Sequence, residues 1–153
     1  MGTPTRFNIR VYGIWTQNDH VLLCREHSSD MAFTKFPGGG LELGEGTEDC
    51  IRREFREELD CDTGPLKLYY INGHYQPSAF NPSDQVITIY YKVDPEYLPG
   101  RMNHMETRWG KQWHLEFYWR AIQELQTGEL TFPIDKIVAE KIVQDFAALT
   151  GAK

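Results

Sequence analysis

Three consecutive glycines, Gly38, Gly39 and Gly40, lead through Leu41-Glu42-Leu43-Gly44-Glu45-Gly46 into a stretch, Thr47 to Leu59, with helical periodicity. Glycines in a row permit positive φ and let a second segment or a ligand approach the peptide closely. At about 100° per residue, Ile51, Phe55 and Leu59 share one stripe of this helix, and Glu54, Glu57 and Glu58 crowd the adjoining arc. Glu54–Glu57 and Glu54–Glu58 are like-charge neighbours on a helix, each unfavourable by about 0.2–0.5 kcal/mol. They also stand toward the C-terminal end, where the macrodipole disfavours negative charge. A helix built for stability alone would not carry this arc, so a cation is expected to offset it.

Three convergent carboxylates suit a hard divalent cation, and Mg²⁺ in particular binds through a few carboxylates, retained waters and phosphate oxygens. The simpler alternative is a solvated acidic face helped by the interleaved Arg52, Arg53 and Arg56. The loop before the helix favours a site. It is not a Walker loop, since no Gly-Lys-Ser/Thr follows, nor a Gly-x-Gly-x-x-Gly opening.

The run Gly39, five residues, Glu45, seven residues, Arg53-Glu54-Phe55-Arg56-Glu57-Glu58, one residue, Asp60-Cys61 resembles the Nudix box, G-x5-E-x7-R-E-U-x-E-E-x-G-U with U a bulky aliphatic residue. Every charged position is met. Asp60 replaces the second glycine, Cys61 the final aliphatic residue, and Phe55 stands at the first U. The glycine falls where a helix ends in a left-handed residue, a conformation that Asp tolerates better than most side chains, so Asp60 is expected to weaken the cap without erasing it.

The resemblance implies an α/β fold, a Nudix-like α/β/α sandwich with a mixed β-sheet, and a pyrophosphohydrolase acting on phosphorus anhydrides. It implies Mg²⁺, with Mn²⁺ as an alternative, held by Glu54, Glu57 and Glu58 with the Gly39 carbonyl as a further ligand. Arg53 and Glu45 are expected to pair and to orient the helix against the loop. Water attacking phosphorus needs charge neutralisation, which a divalent ion supplies, and a carboxylate to take its proton. Glu54, Glu96, Glu106 and Glu116 all qualify as that base. Glu116 resembles a recurrent late-strand carboxylate of the family and is preferred as base or additional ligand, against a solvent-facing strand glutamate. The catalytic set is thus Arg53, Glu54, Glu57 and Glu116.

Length and charge agree. A chain of 153 residues, 41 % hydrophobic, is expected to form one domain over residues 1–153 with a sizeable core. A net charge of −6 argues against nucleic-acid or anionic-membrane binding and makes a small-molecule nucleotide the expected partner; a homodimer is allowed. No membrane span or signal-peptide pattern is visible, so a cytoplasmic protein is expected. Cys24, Cys50 and Cys61 lack CxxC spacing and read as free thiols.

Along the chain, Phe7–Trp15 and Val21–Arg25 alternate around Gln17-Asn18-Asp19 and read as a hairpin. Phe33–Phe36, Leu66–Ile71, Val86–Val93 and Trp113–Trp119 read as strands, and Thr47 as the N-cap of the box helix. Residues 94–112 lack periodicity and read as a mobile loop or lid. Pro133 opens a final helix, Ile134 to Leu149, with Ile134, Ile137, Val138, Ile142, Val143 and Phe146 as its apolar stripe.

For substrate contacts, Arg25 suits a phosphate, and His74 and Tyr75 a base or sugar, although strand aromatics are more often core. His104 and His114 read as structural or solvated. Pro77, beyond the box, resembles the sugar-nucleotide and ADP-ribose branch of the family. The leading expectation is hydrolysis of a nucleoside diphosphate linked to another moiety. A (d)NTP pyrophosphohydrolase and a non-catalytic nucleotide sensor are the alternatives.

Overall fold

The computed structural model describes residues 3–151 and contains two sheets and two long helices. Two compact units emerge: the chain up to Ile14 with Pro37–Gly100, and Trp15–Phe36 with the chain from Arg101 onward.

The first unit is a mixed sheet with a helix. Its strands are β1 (Arg6–Ile14), β5 (Gly38–Gly40), β6 (Lys67–Ile71) and β7 (Asp84–Lys92), in the order β5-β1-β7-β6. β1 runs parallel to β7 and antiparallel to β5, so the expected mixed pairing is present. Helix α1 (Thr47–Leu59) lays Ile51, Phe55 and Leu59 inward at 0, 1 and 0 % exposure, each such side chain stabilising by about 1.5–3 kcal/mol. Gly13 of β1 admits the Phe55 ring, because a Cβ there would sit 2.7 Å from it.

The second unit carries β2 (Thr16–Gln17), β3 (His20–His27), β4 (Ala32–Lys35), β8 (Asn103–Arg108) and β9 (Lys111–Ala121), with β2-β3-β9-β8 in order and β4 beside β3. Its antiparallel core is built from Val21, Leu22, Leu23, Trp113, Leu115 and Phe117. Helix α2 (Pro133–Thr150) begins on its proline, whose missing N–H costs nothing there, and ends on left-handed Gly151. Ile134, Val138 and Ile142 of the expected stripe are buried, while Ile137 is 41 % exposed.

Three sequence expectations change. Phe7–Trp15 does not form a hairpin with Val21–Arg25: β1 pairs with β5 and β7, and only the two-residue β2 folds back on β3. Of the expected turn Gln17-Asn18-Asp19, Gln17 belongs to β2, while Asn18 and Asp19 form the turn and both take positive φ, as a tight two-residue hairpin loop requires. What alternation cannot show is which partner a strand takes. Residues 94–112 are not one loop, because β8 and a Trp109-Gly110 turn with positive φ at both residues build a second hairpin into β9. Finally, the N-cap of α1 is Gly46, not Thr47, and the Asp49 carboxylate reaches back to the Gly46 N–H at 2.8 Å. No helix among the described residues is long and apolar enough to cross a membrane.

Candidate active site

β5 brings the glycines to the acidic helix. Gly38 has φ +143°, and a Cβ on it would lie 2.1 Å from the Val11 carbonyl oxygen, so no larger residue fits. Gly39 stands opposite Val11, and a Cβ there would lie 2.5 Å from a Glu54 carboxylate oxygen. The missing side chain at Gly39 is therefore the space into which Glu54 is laid.

Arg53 ties loop to helix. It donates to Glu45 through Nε (2.9 Å) and Nη2 (2.7 Å), to Glu54 through Nη1 (2.9 Å), and to the Gly40 carbonyl at 3.1 Å. Glu57 lies 3.3 Å from the same Nη1. The paired fork is the strong form of this interaction. It pulls the Glu45 carboxyl down to about 2, chiefly through the Arg53 hydrogen bonds, and raises Arg53 in turn. The cation expected beside the acidic arc is thus supplied in part by Arg53.

Glu57 is exposed, whereas Glu58 is only 7 % exposed, an unusual place for a carboxylate. Burial pushes the Cys50 thiol up to about 12, with Glu45 and Glu54 adding to the effect. That thiol is a weak donor to the Gly40 carbonyl, at 3.5 Å.

Among the described residues, no preassembled group of three or more His, Cys, Asp or Glu side chains stands ready to hold a metal ion. The donor chemistry nevertheless fits a hard divalent cation: carboxylates at Glu54, Glu57 and Glu58 on one helix, with Glu54 laid against the Gly39 backbone. A bound cation would share Glu54 and Glu57 with Arg53.

The structure gathers Gly39, Glu45, Arg53 and Glu54 into one cluster, with Glu57 and Glu58 on the same helix. His74 and Tyr75 follow β6 in the first unit, both exposed, where buried Asn72 donates to the His74 carbonyl at 3.0 Å. Arg25 and Glu116 belong to the second unit and face each other across β3 and β9. His27 Nε2 lies 3.4 Å from Glu116 Oε1 and its ring stacks on His114, 5.1 Å between centres. Sequence reading missed Gly38 and the Gly40 carbonyl. The triple glycine was the available signal, but which of the three needs positive φ depends on its strand partner.

The site is thus a glycine strand held against an acidic helix by an arginine fork. The NUDIX domain family model matches residues 4–141, and the chain belongs to the Nudix family, as a Nudix-type pyrophosphohydrolase. An RNA pyrophosphohydrolase from Wolbachia sp. subsp. Brugia malayi (strain TRS) is 23 % identical over 156 residues, covering 88 % of this chain and 86 % of that protein. Two solved structures share the fold. The MutT NUDIX hydrolase of Burkholderia pseudomallei superposes with a TM-score of 0.66 at 17 % identity, covering 88 % of this chain and 96 % of its own. A NUDIX hydrolase from Nitrosomonas europaea gives 0.61 at 23 %, covering 92 % and 88 %.

Proposed function

We propose that this chain is a Mg²⁺-dependent hydrolase, able to use Mn²⁺, that cleaves the diphosphate of a nucleoside diphosphate linked to another moiety, a sugar nucleotide or ADP-ribose being the substrate class. The observation that carries the reading is the Glu54 carboxylate laid against the bare backbone of Gly39 while Arg53 joins it to Glu45.

Glu54, Glu57 and Glu58 would hold the cation, with the Gly39 carbonyl as a further ligand. Such an ion would supply neutralisation of phosphate oxygens and polarisation of water. Glu54 presents a carboxylate fixed by Arg53, and Glu116 is the second candidate for taking the water proton. Arg53 and Glu45 position the helix against the loop, and Arg53 fixes Glu54. Arg25, His74 and Tyr75 are assigned to substrate contacts, Arg25 to phosphate and the other two to base or sugar; all three are exposed.

The similarity to an RNA pyrophosphohydrolase supports a second reading, in which the anhydride lies in a 5′-triphosphate, whether of a (d)NTP or an RNA end. A net charge of −6 favours the small substrate. Incubating the protein with Mg²⁺ or Mn²⁺ and ADP-ribose, sugar nucleotides, (d)NTPs or 5′-triphosphorylated RNA, then resolving products, separates the readings. A nucleoside monophosphate plus a sugar phosphate supports the first, and pyrophosphate release the second. Mg²⁺-assisted thermal stabilisation by nucleotide with no product from any substrate would instead mark a sensor.

A further inference from the structure

Arg10 stands on β1 directly across from Gly40 of the glycine strand, and a Cβ built on Gly40 would lie 3.5 Å from Arg10 Nη1. Arg10 Nε donates to the Tyr12 hydroxyl at 2.6 Å, and the guanidinium carbon lies 5.7 Å from the centre of that ring. Tyr12 is 4 % exposed, and its ring sits 5.5 Å from fully buried Tyr90, which Tyr70 approaches to 6.2 Å. The arginine is half-buried. A row of tyrosines therefore fixes the Nε side of the guanidinium, while Nη1 is carried to the surface of Gly40.

Side chains alternate across a strand. Arg10, Tyr12 and Gly40 consequently occupy the sheet face opposite Val11 and Gly39, and the Gly39 face is the one that carries Glu54. β5 closes its sheet on one side, since the strand order begins with it. The glycine strand, which has no side chains of its own, thus lies between the Glu54 carboxylate on one face and the Arg10 guanidinium on the other. Guanidinium is the side chain best shaped for a phosphate, through parallel N–H···O bonds, and a pre-fixed one loses little freedom on binding.

We propose that Arg10 is a substrate-binding residue that takes a phosphate oxygen of the substrate on the face of the glycine strand opposite Glu54. The proposal rests on the nucleoside diphosphate reading above.

Calorimetric titration with ADP and with adenosine, in metal-free buffer, tests it on the parent protein, Arg10→Ala, Arg10→Lys and Tyr12→Phe. Arg10→Ala is expected to weaken ADP about ten- to hundredfold, the size of lost charge-assisted hydrogen bonds, and to leave adenosine unchanged. Arg10→Lys keeps the charge without the fork and should also lose ADP affinity, with Tyr12→Phe losing less. Arg10→Lys that melts like the parent and binds ADP as tightly overturns the proposal, even where Arg10→Ala fails to fold. A parent that binds ADP no better than adenosine overturns it as well. Lost ADP affinity in Arg10→Lys, with no hydrolysis by the parent on any substrate, supports Arg10 and removes only the catalytic reading.

Discussion

Arg53 grips Glu45 with two nitrogens on two oxygens, Nε to Oε2 at 2.9 Å and Nη2 to Oε1 at 2.7 Å, across the loop that joins the glycine strand to the helix. The same guanidinium holds Glu54 and the Gly40 carbonyl, so one side chain sets the distance between loop and helix. Arg53→Gln should therefore lower kcat by about 10–100-fold, the range seen when partners of functional ligands are removed. Steady-state kinetics with a melting curve on the same sample checks this; a variant with a normal melt and normal kcat contradicts it.

The Glu45 carboxyl, ordinarily at 4.5, is pulled down to about 2 by Arg53. A depressed acid contributes stability that is complete above its unfolded value and is lost as pH falls through the folded one. The Arg53–Glu45 contribution is thus full above pH 4.5 and fades between there and about 2. Urea melts of the parent and Glu45→Gln across pH 2.5 to 6 should converge toward the acid end and separate toward pH 6. A gap that does not change with pH would contradict the assignment.

The two inner glycines should fail differently. Gly38→Ala puts a Cβ against the Val11 carbonyl at a φ of +143°, and is expected to cost about 3 kcal/mol of stability. Gly39→Ala collides instead with the Glu54 carboxylate, which can swing away, so activity should fall more than stability. Denaturant melts and kcat for both variants decide, and an equal loss of stability in the two would refute the distinction.

Part of this arrangement is legible in the sequence. The helix stripe follows from spacing, which is local, while the Arg53–Glu45 pair and the left-handed end at Asp60 are what the resemblance to the Nudix box implies. The pairing of β1 with β7 and the β8 strand inside 94–112 were not legible, because partner choice is settled by contacts distant in sequence and because β8, Asn-His-Met-Glu-Thr-Arg, has polar residues on both faces. The burial of Glu26 was not legible in the sequence either. That residue is 1 % exposed, and although burial raises its carboxyl, Lys35 at 2.7 Å and Arg108 outweigh that and hold it below its ordinary value. Neither cation is signalled by sequence spacing.

Asp60 does adopt the left-handed conformation, at φ 50° and ψ 50°, with its N–H on the Phe55 carbonyl. A non-glycine residue there costs about 1 kcal/mol, so Asp60→Gly should stabilise by about that amount. Thermal unfolding measures it. A lower melting temperature would mean that the Asp60 side chain contributes more than its backbone costs.

The most direct measurement compares turnover of the parent, Glu57→Gln and Glu58→Gln under saturating Mg²⁺ on the best substrate, with melting curves alongside. If the acidic arc is a metal platform, both variants lose activity by about 10²-fold or more while folding as well as the parent or better, since a like-charge contact is gone. Full activity in both folded variants would show that the arc does not hold the metal.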